Sequence, residues 1–404
     1  MNLTRYISSV LLAVLVSVGA HATVVVDAAT GMPLPRAMVA DRYGNSVGIC
    51  SDSGVIPSVA AVSYPLTVRY MGYQAGTVTG AATDTLRLEE TVYNLPEVTV
   101  IPKKRPVLHL TGYVRERSKL TTAAGDTVEL FREKTVDFML PGRGAGRYKG
   151  WSRPRVLATR SYYRFTDAYG LDSVSDRYSR HFSWSDWVGI VRQVPLPLSM
   201  RVEGNAVDTV KGHFGASAVW RRAGDNVHAS VDVLADTLNR RWTPGFGVYL
   251  DGRVDFTRFN LRYIFTDVGE SSGVMAENIA RVAYDIESDG MNRMMNRLST
   301  KDEAQYMDTY AELYVTDREF LTVGEAKKWE NDPPRGDAIG IHVPEDAAPL
   351  EPELAELVSR VESIDHTGRR IAERADRRLA GENYRLKHRK KHGVLNQLKS
   401  LIFH

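Results

Sequence analysis

The chain has 404 residues, 43% of them hydrophobic, with 52 Lys or Arg against 49 Asp or Glu and a single cysteine. That length is enough for two or three domains with ordinary cores, and a lone cysteine excludes an internal disulfide, so stability must come from buried apolar surface. The net charge of +3 is unevenly spread: residues 367–404 carry 11 basic residues against 3 acidic ones, which leaves the remainder at −5.

Residues 1–22 place Arg5 before an apolar segment from Tyr6 to Gly19 and small residues at Ala20 and Ala22. A charged n-region, an apolar h-region and an A-x-A site predict a signal peptide cleaved after Ala22. The apolar segment is shorter than the ~20 residues a spanning helix needs, so no transmembrane span is expected after cleavage. The only cysteine, Cys50, lies far from the cleavage point, so no lipid attachment is expected there. The mature chain is expected to be exported.

Residues 23–101 set short β-prone runs between turn signals at Thr30-Gly31, Tyr43-Gly44-Asn45 and Ser51-Asp52-Ser53-Gly54, the pattern of a small β-sandwich. Leu66, Val68 and Tyr70 alternate with Thr67 and Arg69, so this run is a strand that Gly72 ends. The order Asp27, Thr30-Gly31, Pro33-Leu34, Ala37-x-Val39, Gly48, Ser51-Asp52-x-Gly54, Gly72-Tyr73 and the closing "LPEVTV" resembles the carboxypeptidase-like regulatory domain common in envelope proteins of Bacteroidetes. The resemblance covers residues 24–100 only. It implies a prealbumin-like sandwich of seven strands with no catalysis of its own, found beside enzymes or at the front of TonB-dependent receptors. The roughly 300 residues that follow are too few for a receptor's plug and barrel.

Pro102 to Pro106, with Lys103, Lys104 and Arg105 between them, marks a linker. Residues 107–330 read as a β-rich α+β domain of no recognised family, with alternating runs such as "VLATRSYYRF" and "VHASVDVLAD" and a hairpin signal at Asp251-Gly252. Met291, Met294, Met295 and Leu298 recur at helical spacing, and Thr322 with Glu325 forms a capping box that starts a helix. Residues 331–348 read as a Pro- and Gly-containing linker and residues 349–404 as a basic helical tail. In that tail Leu350, Leu354, Leu357, Val358, Val361 and Ile364 form one apolar stripe. The fold class expected is thus mainly β.

Chemical motifs are sparse. His342 and Glu345 match the first half of a zinc carboxypeptidase His-x-x-Glu, but Pro344 and the short remaining chain favour chance loop residues, and no metal or other cofactor is expected. "GRGAGRYKG" at 142–150 lacks the ending of a phosphate loop, the Arg335-Gly336-Asp337 tripeptide is coincidental, and Cys50 reads as a small buried residue. Acid pairs such as Asp285 with Glu287 and Glu312 with Asp317 read as surface acids.

Ten of the 40 positions from Tyr148 to Trp187 are aromatic, with Arg153, Arg155, Arg160, Arg164, Arg177 and Arg180 interleaved. Aromatic faces bind sugar rings and Arg binds acidic groups, which makes Trp151, Tyr178, Phe182, Trp184 and Trp187 candidate contacts for an envelope glycan; the competing reading is a half-buried sheet. The basic tail, through Arg369, Arg370, Arg374, Arg377, Arg378, Arg385, Lys387, Arg389, Lys390 and Lys391, is a candidate for an anionic lipid surface, and export argues against nucleic acid. The expectation is a non-enzymatic envelope protein that binds or assembles, with an envelope glycan, an anionic lipid surface or another envelope protein as partner, at the periplasmic face of the outer membrane. The alternative is an envelope hydrolase of glycan or peptide with its site in the middle domain.

Overall fold

The computed structural model describes residues 22–81, 84–91, 105–123, 125–176, 183–246, 254–290, 305–334 and 339–364. The hairpin expected at Asp251-Gly252, the helical methionines after Met291, Arg335 to Asp337 and the basic tail from Arg369 lie outside these residues. Two units divide the chain after Thr91, and the fold is mainly β.

The first unit holds β1 (Val24–Asp27), β2 (Met38–Ala40), β3 (Ser46–Ile49), β4 (Leu66–Arg69), β5 (Gly76–Val78) and β6 (Thr85–Leu88). β1 and β6 pair in parallel, and the other four form an antiparallel sheet in the order β3-β2-β4-β5. Val25, Leu34, Val39, Cys50, Leu66, Val68, Tyr70 and Tyr73 share one core. Cys50 is buried in it, as its sequence context suggests.

The Gly-Tyr pair after β4 has a clear local purpose. Gly72 takes a φ of +88°, a region open to glycine, and the chain turns so that Tyr73 donates its hydroxyl to Asp27 Oδ2 at 2.5 Å. The other oxygen of Asp27 accepts from the amides of Ala29 and Thr30 at 2.8 and 2.7 Å, holding the turn at Thr30-Gly31. One buried carboxylate therefore ties the first turn to the end of a core strand 46 residues later.

The second unit is built on one ten-stranded sheet. Its strands are β7 (Val107–Thr122), β8 (Thr127–Pro141), β9 (Trp151–Thr166), β10 (Asp172–Ser175), β12 (Gly204–Gly212), β13 (Gly215–Gly224), β14 (Asn226–Asp232), β15 (Asp255–Phe265), β17 (Ile279–Gly290) and β18 (Gln305–Leu321). Two short strands, β11 (Gln193–Pro195) and β16 (Gly273–Met275), pair beside it. The order is β10-β9-β8-β7-β18-β17-β15-β14-β13-β12, antiparallel throughout. The chain thus enters at the centre on β7, runs out to one edge, crosses to the other edge and returns to the centre on β18. Gly112 is required where these two meet: a Cβ there would lie 2.5 Å from Leu313 Cδ1 and 2.8 Å from the Tyr314 carbonyl.

Alternation gives the sheet two different faces. Leu108, Leu110, Val114 and Leu120 of β7, with Val128, Leu130, Val136 and Phe138 of β8, face the main core. Segments within 183–200 and 233–246 cover that face with Trp184, Val188, Ile190, Met200, Trp242 and Phe246. Fully burying a side chain of that size contributes about 1.5–3 kcal/mol, so this layer is the main source of the unit's stability.

The other face carries α1 (Val323–Asn331) and α2 (Pro352–Glu362). The capping box of Thr322 and Glu325 forms as expected and starts α1. The stripe expected for α2 forms too, with Leu354, Leu357 and Val361 on Phe131 and Tyr162. Residues 339–364 lie along this face: Thr135 donates to the Gly340 carbonyl, Arg281 pairs with Asp346, Arg115 donates to the Ala348 carbonyl and Arg117 pairs with Glu351. Among the described residues no helix is long and apolar enough to cross a membrane.

Candidate functional site

Both faces of the central strands carry buried ionic clusters. On the core face, the apolar parity of β7 is broken by Glu116 and Ser118, and that of β8 by Arg132 and Lys134. The ladder sets Glu116 opposite Arg132 and Val114 opposite Lys134. The 3-10 turn Trp184–Asp186 then drops Ser185 and Asp186 onto the group from the covering layer.

Lys134 Nζ lies 2.7 Å from Ser185 Oγ, 2.7 Å from Asp186 Oδ1 and 3.1 Å from Glu116 Oε2. Ser185 donates to Glu116 Oε2 at 2.8 Å, and Arg132 reaches the same oxygen at 2.9 Å and Asp186 at 2.8 Å. Burial pushes the Glu116 carboxyl up, but Arg132, Lys134 and hydrogen bonds from Ser183 and Ser185 outweigh it and hold the group well below the usual carboxylate range.

A serine hydroxyl 2.7 Å from a lysine amine has the spacing of a nucleophile and its base. The donor directions differ from that chemistry. Lys134 donates to Ser185, and Ser185 donates to Glu116. Lys134 and Glu116 have no exposure to solvent and Ser185 has almost none. The arrangement therefore works as a brace between the sheet and its covering layer.

On the other face, Asp137 of β8 is fully buried and receives four side chains. Arg155 binds it bidentately at 2.9 and 2.5 Å, Trp329 donates at 2.7 Å, His109 lies at 3.1 Å and Trp151 donates at 3.3 Å. Burial raises the Asp137 pKa, and hydrogen bonds from His109, Arg155 and Trp329 more than offset it and lower the group overall. His109 lies against Trp329 with centroids 4.7 Å apart, and Arg155 sits 4.0 Å over the Trp151 ring. This cluster clamps α1 to the sheet.

A third cluster on this same face is short of cations. Arg258 of β15 donates to Asp285 at 2.8 Å, to Asp308 at 3.1 Å and to Glu287, which also accepts from the Tyr306 hydroxyl. The acid pair Asp285 and Glu287 is thus drawn inward to one arginine, where the sequence suggested surface acids. Burial first, then the charges of Asp285 and Glu287, push Asp308 up to about 6 against the pull of Arg258. Lys119 faces Asp308 across the ladder between β7 and β18.

The sequence-derived contacts separate on this frame. Trp151 is half-buried and serves Asp137. Trp184 is fully buried, and the expectation that it is exposed to a ligand is corrected: its ring packs edge-on to Phe246 and its Nε1 donates to Ser288 at 2.9 Å. Trp187 is half-buried with Arg153 over its ring at 5.7 Å. Tyr178 and Phe182 lie outside the described residues. His342 and Glu345 are exposed on a loop, as chance residues would be.

Sequence reasoning missed Glu116, Lys134, Ser185 and the Asp137 clamp. The signal was a charge in the apolar parity, Glu116 in "VLHLTGYVRERSKL" and Arg132 with Lys134 in "VELFREKTVDF". The shallow groove between α2 and the sheet is lined by Arg117, Glu129, Arg164, Glu353, Glu356 and Arg360. Of these, Arg117 pairs with Glu129 at 3.5 Å and with Glu353 at 3.8 Å.

No family model matches this chain, and no curated protein does. Among solved structures it is similar to one described by lipid–protein interactions in lipovitellin, at 8% identity and a TM-score of 0.24, over 53% of this chain and 25% of that one. The chain therefore spans about a quarter of that structure's length, and a likeness of that size carries no argument.

Proposed function

We propose that this chain is an exported cell-envelope protein that binds or assembles, working at the periplasmic face of the outer membrane. Its first unit is proposed to be a carboxypeptidase-regulatory-like sandwich, on the residues quoted above. One observation carries the non-catalytic part of the reading: the acids, Lys134 and His109 at the centre of the sheet serve as internal braces. Glu116 joins the sheet to its cover and Asp137 joins it to α1. Partners are then met by surfaces, and an envelope glycan, an anionic lipid surface or another envelope protein are the classes proposed.

Expression of the full chain with its own leader, followed by fractionation, tests this. Cleaved protein in the periplasm or with the outer membrane is expected. Uncleaved protein in the cytoplasm would overturn it.

The hydrolase alternative has one observation in its favour, the 2.7 Å contact of Lys134 with Ser185. Labelling of the wild type, but not of Ser185→Ala, by a serine-reactive fluorophosphonate would favour it. Absence of labelling is expected.

A further inference from the structure

The cluster around Glu116 differs in chemistry from the other buried clusters. Asp137 is held by Arg155, His109 and two tryptophans, and Asp308 accepts from Arg258. A guanidinium keeps its proton and does not act as a nucleophile. Lys134 instead brings a primary amine, which becomes nucleophilic once it gives up one proton. Its Nζ is fully buried and lies 2.7 Å from Asp186 Oδ1 and 3.1 Å from Glu116 Oε2. Arg132 donates to the second Asp186 oxygen, Oδ2, at 2.8 Å. An amine, a carboxyl group, a base beside the amine and a cation on the other carboxyl oxygen are the parts that amide formation requires.

We propose that Lys134 and Asp186 join through an amide bond between Nζ and Cγ, formed by the folded chain itself. Glu116 accepts one proton from the Lys134 ammonium, and the amine attacks Asp186 Cγ to form the C–N bond. Arg132 stabilises the negative charge that develops on Oδ2. The bond from Cγ to Oδ1 then breaks, and Oδ1 leaves as water with the proton held by Glu116 and a second proton from the nitrogen. One ammonium and one carboxylate become one amide and one water. Atoms, electrons and charge balance with no oxidant, reductant or activated donor.

Burial favours this reaction over a lasting ion pair. Charges withdrawn from water are costly to keep, and the amide replaces two of them with a neutral group, leaving Arg132 and Glu116 as a one-to-one pair at 2.9 Å. The reacting atoms are also held in place, because Lys134 sits within the ladder between β7 and β9 and the 3-10 turn carries Asp186 beside the fully buried Trp184. Such fixed proximity removes much of the entropic barrier to joining two groups. The Asp186 side chain is 29% exposed whereas those of Lys134 and Glu116 are not exposed at all, so the released water has a way out on the aspartate side. With a single cysteine the chain has no internal disulfide, and the amide would tie β8 to the covering layer across 52 residues. The neighbouring cations hold the Glu116 carboxyl well below the usual range, so it takes up the ammonium proton rarely and the bond forms slowly. The ionic cluster therefore precedes the bond, and a fresh preparation holds mostly the ionic form.

Mass spectrometry of the intact full chain, fresh and after several days at body temperature, tests this. A species lighter by one water should accumulate. Trypsin should then release a branched peptide that joins residues 133–143, uncut at Lys134, to residues 181–192. Lys134→Arg keeps the positive charge but should keep its full mass as well. Asp186→Asn should lose ammonia in place of water, and Glu116→Gln, which lacks the base, should form the bond at least about tenfold more slowly. Fluorescence of the buried tryptophans shows whether each variant is folded.

The proposal is overturned if the wild type keeps its full mass throughout, or if folded Lys134→Arg loses water as the wild type does. The loss would then be ring closure at an aspartate, such as Asp251 before Gly252, and no amide. A branched peptide that joins other residues would overturn it too, and wild-type rates in folded Glu116→Gln would remove the role given to that carboxylate. Should a variant fail to fold, the wild-type mass and the branched peptide decide on their own. None of these outcomes depends on where the protein resides in the cell, so a failure here is distinguishable from a failure of the envelope reading.

Discussion

Glu116 is a fully buried carboxylate and Asp308 a partly buried one on opposite faces of one sheet, yet their environments drive them in opposite directions. Glu116 has two cations, Arg132 and Lys134, within 3.1 Å, and one further acid, Asp186, shares them. Asp308 shares Arg258 with Asp285 and Glu287. Both are desolvated, which alone raises a carboxyl pKa. Arg132 and Lys134 reverse that effect at Glu116, whereas Arg258 and Arg117 do not reverse it at Asp308 against the charges of Asp285 and Glu287. Burial thus determines how strongly a charge matters here, and the local count of charges determines the sign.

The largest expected effect comes from breaking the balanced cluster. Lys134→Met leaves the Glu116 carboxylate buried with Arg132 as its remaining cation, and removing one partner of a buried pair costs about 3–5 kcal/mol. Urea unfolding followed by the fluorescence of the buried tryptophans should show that loss. The double variant Glu116→Gln/Lys134→Met should recover much of it, because no uncompensated charge remains. A cost below about 1 kcal/mol for the single variant would mean that the cluster is not the brace described.

The unbalanced cluster should appear in the pH dependence. Asp308 has a folded pKa of about 6, raised from 3.8, so between those values the folded state binds more protons than the unfolded one. Stability then falls as pH rises from about 4 to 6, by on the order of 2–3 kcal/mol, and is level above that. Glu116 and Asp137 behave oppositely, since their folded values are depressed and the stability they contribute is lost only as pH falls below the ordinary carboxylate range. Glu277, whose carboxyl burial also raises, acts in the same direction as Asp308 within this window. Asp308→Asn should therefore reduce the slope there, and an unchanged slope in that variant would locate the titration elsewhere.

Much of the architecture is legible in the sequence and the pairing of charges is not, for a definite reason. Alternation marks β4, β9 and β14, the Thr322–Glu325 box marks α1, and the Leu354, Leu357, Val361 stripe marks α2, because each is a pattern within one segment. Glu116 meets Arg132 only through a register between strands, and Ser185 joins them from a third segment. The same limit hid the fate of residues 339–348, which read as part of a linker: Gly340, Asp346 and Ala348 are held by Thr135, Arg281 and Arg115 from three different strands. Trp184 misled for a related reason, since an aromatic-rich run reads alike whether its rings face solvent or, as here, Phe246 and Phe256.

A smaller effect is expected at the clamp on α1. Trp329→Phe keeps an aromatic ring against His109 but removes the 2.7 Å hydrogen bond to Asp137. A hydrogen bond to a charged group contributes about 1.5–3 kcal/mol, and the three donors that remain on Asp137 place the loss near the lower figure. Thermal melts of the two proteins at pH 7 give the comparison. A loss above about 3 kcal/mol would mean that α1 detaches altogether.

The smallest effect is expected where charges meet in solvent. Arg360 of α2 pairs with Asp172 at 3.0 Å, with side chains 33% and 40% exposed, and Arg164 holds the same carboxylate at 3.0 Å. Burial raises the Asp172 pKa, and hydrogen bonds from Arg164 and Arg360 together outweigh it and lower the group overall, but water screens a pair in that position and such pairs contribute about 0–1 kcal/mol. Arg360→Ala also leaves Asp172 with Arg164, so no uncompensated charge results. The expected loss is about 0.5 kcal/mol or less, and it should vanish in 1 M salt. Leu357→Ala, which removes a buried side chain from the same helix, should cost about 2–5 kcal/mol. If Arg360→Ala instead destabilised the protein as much as Leu357→Ala, α2 would be held to the sheet by its charges and not by its apolar stripe, and the contrast between buried and exposed ion pairs would fail in this molecule.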